Sequence, residues 1–239
     1  MGRSATRIVR LVGPAALAAA AAAGAYVVVR ARQRELAATG SALGQALLLE
    51  EVLPRYQFRG VASTVIRATP AQIFRALEEV TLADMPLADA LIKIRYLPGR
   101  LLGHGGPESA PRYRPLSEEV SKGYTIPLAQ APQRELVLGG VGQFHSMLDQ
   151  KPVRLKSPEE FLAFSDPIHE KLAMSWYLAE GDEPTGYRLV MEVRTQALSE
   201  KARGLFLPYW WLLIRWGSEI MSRILLSAVK RLSLIHISE

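Results

Sequence analysis

The side chains best suited to chemistry in this sequence are its four histidines, and none of them completes a recognised catalytic pattern. His169 precedes Glu170, but Ala173 stands where the zinc-binding pattern of metalloproteases requires a second histidine. The sequence contains no cysteine, which excludes disulfides, thiolate metal sites and cysteine nucleophiles. We therefore predict that the chain is not an enzyme and has no catalytic residue, metal ion or cofactor.

Three other polar or glycine-rich patterns receive structural interpretations. The glycines of "GGVG" at 139–142 have neither the spacing nor the following helix of a dinucleotide-binding loop. Glu192 and Arg194 share one side of a strand and are interpreted as a charge network on the solvent-exposed side of a sheet. His145 is predicted on that outer side with Glu135, where a solvated or capping histidine is favoured over a ligand or a base.

The net charge of +6 comes from the N-terminal segment. Residues 1–34 contain six arginines and no acidic residue, whereas residues 35–239 contain 23 basic and 23 acidic residues. A nucleic-acid binder carries its basic excess on the domain that contacts phosphates. The distribution therefore argues against nucleic acid as a partner. Basic residues that flank an apolar segment are instead typical of membrane anchors.

Residues 11–29, preceded by the basic flank at 1–10, carry no charge and are predicted to form a transmembrane anchor. As a helix this segment spans about 28 Å, close to the thickness of the hydrocarbon core of a bilayer. A cleaved signal peptide is one alternative, because Ala23-Gly24-Ala25 offers a small-x-small cleavage pattern. A soluble alanine-rich helix is the other. The arginines divide equally between the two ends, so they do not fix the orientation.

The segments next to the folded domain are predicted to add no chemistry. Residues 30–53 have leucines at loosely helical spacing and are predicted to form a helical spacer, with a partner helix or an interfacial amphipathic helix as alternatives. The last residues, "LSLIHISE" at 232–239, resemble the translation of a transposase adapter used in sequencing libraries. We interpret them as a sequencing artefact and base no functional prediction on them or on His236.

Between residues 54 and 231, strand and helix patterns follow one another in an order typical of an α+β domain. "QFRGVASTVIRA" predicts a strand, Thr69 and Pro70 then begin a helix as N-cap and first residue, and a second helix runs to Pro98. Strand patterns follow, of which "HEKLAMSWYLAEG" and "GYRLVMEVRTQAL" form the clearest hairpin. The antiparallel sheet is predicted to be covered on one side and wet on the other.

The cover of the sheet is predicted to be one long C-terminal helix. From Ser199 to about Leu232 the apolar residues recur with helical period, and a kink or restart is expected at Pro208. The stretch "LFLPYWWLLI" is apolar on all sides but too short to span a bilayer, so it is predicted to be deeply buried.

This order of elements resembles the helix-grip fold of the START-like superfamily, which includes polyketide cyclases and bacterial lipid-transport domains (SRPBCC). The segments "ELVLGGVGQFH", "EEFLAF", "YLPGRLLG" and "MEVRTQALSEKARGLFLPYWWLLI" are similar to an uncharacterised bacterial branch of that superfamily. In that branch the strand often ends in Phe-Trp, where this chain has Phe144-His145. The resemblance covers roughly residues 54–232. It implies a curved antiparallel sheet wrapped around the last helix, with an apolar cavity between them.

Apolar side chains with the parity of the covered side of the sheet are the candidate ligand-binding residues, together with apolar residues of the last helix. They are Leu136, Leu138, Phe144, Leu172, Met174, Trp176, Tyr187, Leu189, Met191, Trp210 and Leu213. The sequence pattern alone favours a solid core. The resemblance makes a pocket an equal alternative, and Met and Trp side chains suit a pocket for a flexible apolar ligand.

The leading functional hypothesis is a membrane-tethered module that binds, sequesters or transports a lipid-like hydrophobic molecule. An enzyme of the polyketide cyclase/aromatase type is one alternative, and it would need polar groups with perturbed pKa values inside the cavity. A structural or interaction module with a filled core and no ligand is the other. The anchor at 11–29 would hold the domain at a membrane, whereas signal cleavage would export it.

Overall fold

The computed structural model describes residues 48–101, 113, 115, 125–146, 151–179 and 186–235. The predicted anchor, most of the predicted spacer and the last four residues lie outside these ranges. Within the ranges, no helix is both long enough and apolar enough to cross a membrane.

The described part of the chain has an α+β architecture of five strands and six α-helices. The strands are β1 (Phe58–Ile66), β2 (Thr125–Ala131), β3 (Glu135–Gly142), β4 (Glu170–Ala179) and β5 (Tyr187–Ala197). The helices are α1 (Leu48–Val52), α2 (Pro70–Glu79), α3 (Pro86–Leu101), α4 (Pro158–Ala163), α5 (Glu200–Tyr209) and α6 (Arg215–Ile235).

The five strands form one antiparallel sheet in the order β1-β5-β4-β3-β2. The predicted hairpin is confirmed, since β4 pairs with β5 from Glu170 opposite Ala197 to Ala179 opposite Arg188. Strands β1 and β2 are the edges of the sheet, and the other three strands are internal.

Helix α2 begins where the sequence predicts. The Thr69 Oγ1 accepts a hydrogen bond from the Gln72 backbone N–H, and the Gln72 Oε1 accepts one from the Thr69 N–H, which completes a capping box. Pro70 occupies the first turn, where its missing N–H costs nothing. Ile73 and Phe74 bury one side of the helix in the core.

A continuous helical segment of 36 residues follows β5 and confirms the predicted C-terminal helix. Helix α5 passes through Pro208, widens into a π-helical turn at Trp210–Ile214, and continues as α6. Proline supplies no N–H to the helical ladder, and a π turn accommodates such a local disruption. The helix therefore continues past Pro208 and does not restart there.

Helix α6 packs mainly against β1 and α2, with smaller contacts to β5 and α3. We call the side of the sheet that faces α6 the helix side. Leu189, Met191 and Val193 of β5 are buried on it, as their parity predicts. The helix therefore lies over one edge of the sheet and the strand beside that edge.

Only part of the "LFLPYWWLLI" stretch is buried, so the prediction of deep burial is wrong. Phe206, Tyr209 and Trp210 are buried. Leu205, Leu207 and the Trp211–Leu213 run are exposed. The reason is the position of the helix at an edge strand, where the sheet can cover one side of it and leave the other to solvent.

The opposite side of the sheet, which we call the rear side, is also covered, so the prediction of a wet side is wrong. Helices α1 and α4 pack on it, with Leu49 and Phe161 buried against Val137 of β3. Glu192 and Arg194 on this side are 0% and 1% exposed. Helix α1 lies within the predicted spacer, and its packing on the sheet buries these charges.

Candidate functional site

Apolar side chains of two internal strands form a patch on the helix side of the sheet. In the pairing of β3 with β4, Leu136 lies opposite Trp176 and Leu138 lies opposite Met174. Two further leucines of β4 have the same parity. We call the six residues Leu136, Leu138, Leu172, Met174, Trp176 and Leu178 the β3–β4 patch, and all six belong to one hydrophobic cluster.

Four patch residues keep part of their surface exposed although their strands are internal. Leu136, Leu172, Met174 and Leu178 are half-buried, whereas Leu189 on the neighbouring β5 is fully buried. The difference follows from the position of α6, which packs on β1 and β5. The patch is therefore an incompletely covered apolar surface in the interior of the sheet.

Trp176 adds one polar atom to the patch. Its side chain is buried, and no residue in the described ranges accepts a hydrogen bond from its indole Nε1. Buried N–H groups in proteins are nearly always paired. This N–H is therefore a hydrogen-bond donor that the described residues leave unused.

Aromatic side chains border the patch at the end of the sheet where β1 begins. The ring of Phe58 contacts the rings of Phe206 and Trp210, with centroid separations of 4.8 and 5.4 Å. Phe58 lies opposite Thr195 on β5, and Thr195 lies opposite Leu172 on β4. Phe58 and Leu172 therefore lie in one row on the helix side. The cluster of Phe58, Phe206, Tyr209 and Trp210, which we call the aromatic group, adjoins the patch at this row.

Glu170 and His145 form an acid–histidine pair next to the aromatic group. Glu170 is fully buried at the start of β4, and its Oε1 lies 2.8 Å from His145 Nδ1. Its Oε2 accepts a hydrogen bond of 2.7 Å from the backbone N–H of Phe144, whose ring packs on the aromatic group. Glu170 has the same strand parity as Leu172 and Met174, which places it on the helix side.

Burial raises the pKa of Glu170, and the hydrogen bond from His145 offsets part of the rise. A buried carboxyl group with a raised pKa, hydrogen-bonded to a histidine, is a candidate for proton transfer. Glu170 is absent from the predicted site residues. Its signal in the sequence is an acidic residue at an inward position of an otherwise apolar strand.

His145 is not on the side where the sequence analysis places it. It is half-buried and bonded to Glu170, so it does not share an outer side with Glu135. The carboxylate of Glu135 lies on the rear side, where it accepts hydrogen bonds from the backbone N–H groups of Leu48 and Leu49 and from Ser175 Oγ. Glu135 thereby holds α1 against the sheet.

The predicted ligand-binding residues fall into three groups in the structure. Leu136, Leu138, Leu172, Met174, Trp176, Leu189 and Met191 lie in one cluster on the helix side. Phe144 and Trp210 lie in the adjoining aromatic group. Tyr187 and Leu213 are exposed and are not brought together with the others. Leu213 lies in the π turn, which rotates it away from the side that regular α-helical spacing predicts.

The charged residues of the rear side have a structural role. Glu192 accepts two hydrogen bonds from Arg59 and one from Arg194, and Arg194 also donates to the carbonyl of Leu53 and to Glu50. Burial alone would raise the pKa of Glu192, but the hydrogen bonds and charges of the two arginines hold it below its ordinary value. The predicted charge network of Glu192 and Arg194 is confirmed as a pairing, but it is buried and not solvent-exposed, and it ties α1 to the sheet.

Neither the rear network nor the acid–histidine pair has the composition of a metal centre. Within the described ranges, no three histidine, aspartate or glutamate side chains come together to hold a metal ion.

Comparison with known proteins does not assign the chain to a family. No family model matches it, and neither does any curated protein. Solved structures that align with it include a protein of Mesorhizobium loti at 15% identity and a TM-score of 0.33, covering 73% of this chain and 96% of the other. An uncharacterised protein of Rhizobium leguminosarum aligns at 13% identity and a TM-score of 0.27, covering 73% and 95%. A protein of Thermus thermophilus aligns at 12% identity and a TM-score of 0.29, covering 75% and 99%.

Proposed function

We propose that this domain binds a lipid-like hydrophobic molecule on the β3–β4 patch while residues 11–29 tether it to a membrane. The observation that carries the proposal is the partial exposure of Leu136, Leu172, Met174 and Leu178 on internal strands. A ligand that covers this surface gains about 25 cal/mol for each Å² of apolar area removed from water. That gain amounts to about 0.8 kcal/mol for each buried methylene.

The proposal includes the helix-grip fold of the START-like superfamily. It is supported by the order of the elements, by the five-stranded antiparallel sheet with one long C-terminal helix, and by the sequence resemblance over residues 54–232. In such a fold, a ligand site lies between the sheet and the last helix. The β3–β4 patch lies on the helix side of the sheet, beside the strands on which α6 packs.

The side chains around the patch favour one class of lipid-like ligand, an amphiphile with one hydrogen-bond acceptor. The floor of the site is made of aliphatic and thioether side chains, which adapt to a flexible hydrocarbon chain. The Nε1 of Trp176 donates to an oxygen such as that of an ester or ketone. The Glu170–His145 pair lies at one end of the site, where it provides a second polar contact.

Native mass spectrometry of the full-length protein, extracted in mild detergent, tests the proposal. The expected result is a bound species with the mass of a lipid, released at moderate collision energy. Met174→Arg places a charge in the patch and is expected to remove this species. Leu162→Arg, at an exposed position of α4 on the rear side, is the matched control and is expected to retain it. Protein without a bound lipid in all three samples, the unsubstituted protein and both variants, would contradict the proposal.

A second candidate function, acid–base catalysis of the polyketide cyclase/aromatase type, is favoured by the Glu170–His145 pair. It places a carboxyl group of raised pKa on the helix side, beside an apolar site that could hold a linear polyketide. Incubation of the full-length protein with a linear poly-β-keto thioester, followed by mass spectrometry, tests it. Loss of water from the substrate in the unsubstituted protein, and its absence in Glu170→Gln, supports catalysis. An unchanged substrate contradicts it.

A further inference from the structure

We propose that the exposed side of the C-terminal helix is a surface that binds an anionic lipid bilayer. This surface, the helix band, consists of Trp211, Leu212, Trp216 and Ile220. It is distinct from the β3–β4 patch, and the proposal holds whether or not the patch binds a ligand.

The helix band is an apolar surface that the described part of the chain leaves exposed. Trp216 and Ile220 are four residues apart in α6, which places them on one side of the helix, and Leu212 precedes Trp216 by about one turn across the end of the π turn. Leu212 is 81% exposed, and Trp216 and Ile220 are 47% and 46% exposed. Single exposed apolar residues are common, but a contiguous group that includes two tryptophans marks an interaction surface.

The composition of the band fits the interface of a bilayer. Tryptophan is enriched at the level of lipid headgroups, where its ring is partly buried and its N–H stays near water. The guanidinium of Arg215 lies between the two rings, 5.1 Å from the centroid of Trp211 and 5.6 Å from that of Trp216. A cation at this position can contact phosphate while the rings insert beside it.

Charge identifies the partner as an anionic surface. Residues 200–235, which form the C-terminal helix, contain six basic and two acidic side chains. Residues 35–199 contain 17 basic and 20 acidic side chains. The positive charge of the folded part of the chain is therefore concentrated on the helix that carries the band. A basic helix with tryptophan and leucine on an exposed side is typical of binding to an anionic membrane surface.

The predicted tether would keep this helix within reach of a bilayer. Residues 30–47 separate the predicted anchor from α1 and extend to at most about 65 Å. Contact between the band and the membrane would then be intramolecular, so a modest affinity is sufficient.

Quenching of tryptophan fluorescence by brominated lipids tests the proposal on the full-length protein in nanodiscs. All four tryptophans lie between residues 176 and 216, so the predicted anchor contributes no signal. Trp176 and Trp210 are buried, whereas Trp211 and Trp216 belong to the band. In nanodiscs rich in phosphatidylglycerol, up to about half of the emission is expected to be quenched, since two of the four reporters would contact lipid.

Two variants separate membrane contact from other causes of quenching. Leu212→Asp keeps all four tryptophans and is expected to reduce the quenching severalfold, because it places a negative charge in the band. Leu162→Asp, at an exposed position on α4, is expected to leave it unchanged. Circular dichroism confirms that both variants are folded.

Three results would overturn the proposal. The first is equal quenching in Leu212→Asp and the unsubstituted protein. The second is equal quenching in phosphatidylglycerol and in phosphatidylcholine. The third is an absence of quenching together with cross-linking of the band to another partner. That partner would be a second copy of the chain or the chain's own N-terminal segment.

Discussion

Arg59 on β1 donates two parallel hydrogen bonds to Glu192 on β5, from Nε to Oε1 and from Nη2 to Oε2, each of 2.8 Å. Arg194 donates a third, of 2.7 Å, from its Nε to the same Oε1. Glu192 therefore pairs with two arginines on the rear side, one of which is fully buried and also pairs with Glu50. A buried charge that loses its partner is costly, whereas an exposed ion pair contributes little.

Glu192→Ala is expected to destabilise the protein by about 3–5 kcal/mol, because it leaves Arg194 buried with less compensation. For a domain of this size, each kcal/mol lowers the melting temperature by roughly 2–4 °C. Glu79→Ala is the control, since it breaks the exposed Arg75–Glu79 pair and is expected to cost about 0.5 kcal/mol or less. Thermal unfolding of both variants measures the difference, and equal melting temperatures would show that the network does not hold α1 in place.

Glu170→Gln is expected to change how stability depends on pH. Because burial raises the pKa of Glu170, the folded protein binds its proton more tightly than the unfolded chain does. The stability from this group is fully present below its unfolded pKa of about 4.3 and is lost as the pH rises through the folded value.

The measurement for Glu170 is the difference in melting temperature between Glu170→Gln and the unsubstituted protein, taken from pH 4 upward. Since glutamine does not ionise, the variant is expected to gain relative stability as the pH rises. Glu51→Gln, at an exposed position, is the control and is expected to show no such trend. A relative loss of stability with rising pH would mean that the charged carboxylate is the preferred form beside His145.

Gly139 lies where the rear side of the sheet has no room for a side chain. A methyl group there would collide with the Leu128 side chain and would lie 2.9 Å from the Leu172 carbonyl oxygen. Gly139→Ala is therefore expected to cost about 1–3 kcal/mol. Gly204→Ala on α5 meets no atom within 4 Å and is expected to stabilise the helix by about 0.5–1 kcal/mol. Urea unfolding of the two variants checks the opposite signs, and a tolerated alanine at 139 would contradict the packing described.

The hairpin of β4 and β5, helix α2 and the C-terminal helix could be predicted because their signals are local. Alternation of apolar residues defines each strand, and Thr69 with Pro70 defines the start of α2. The same alternation predicts the direction of the inward residues on β5, and it places Leu189 and Met191 on the correct side.

The errors have non-local causes. Glu192 and Arg194 are charged and occupy alternate positions, a pattern that indicates a solvent-exposed side. Their partners Arg59 and Glu50 are 133 and 144 residues away in the sequence. Strand alternation does not show such partners. The predicted direction of Leu213 is wrong because a π turn breaks the α-helical period. The sequence does not predict the exposed helix band, because a stretch that is apolar on all sides does not show which side an edge strand leaves to solvent.

Trp176→Phe is expected to weaken binding only of ligands that carry an acceptor. Loss of one hydrogen bond costs about 0.5–1.5 kcal/mol, so the affinity for a long-chain ester should fall by about two- to tenfold. The affinity for an alkane of the same length should stay the same, because phenylalanine keeps the apolar surface. Competition against a fluorescent fatty acid measures both ligands. An equal loss for both would assign Trp176 to packing alone.

The dependence of ligand affinity on chain length tests the role of the β3–β4 patch most directly. Full-length protein is titrated with fatty acids of increasing length against an environment-sensitive fluorescent fatty acid, and Met174→Arg and Leu162→Arg are titrated in parallel. Each added methylene that the patch buries is worth about 0.8 kcal/mol, which is close to a fourfold gain in affinity. We expect this gain in the unsubstituted protein and in Leu162→Arg, and its loss in Met174→Arg. Affinity that does not change with chain length, or that is the same in Met174→Arg, would contradict binding at the patch.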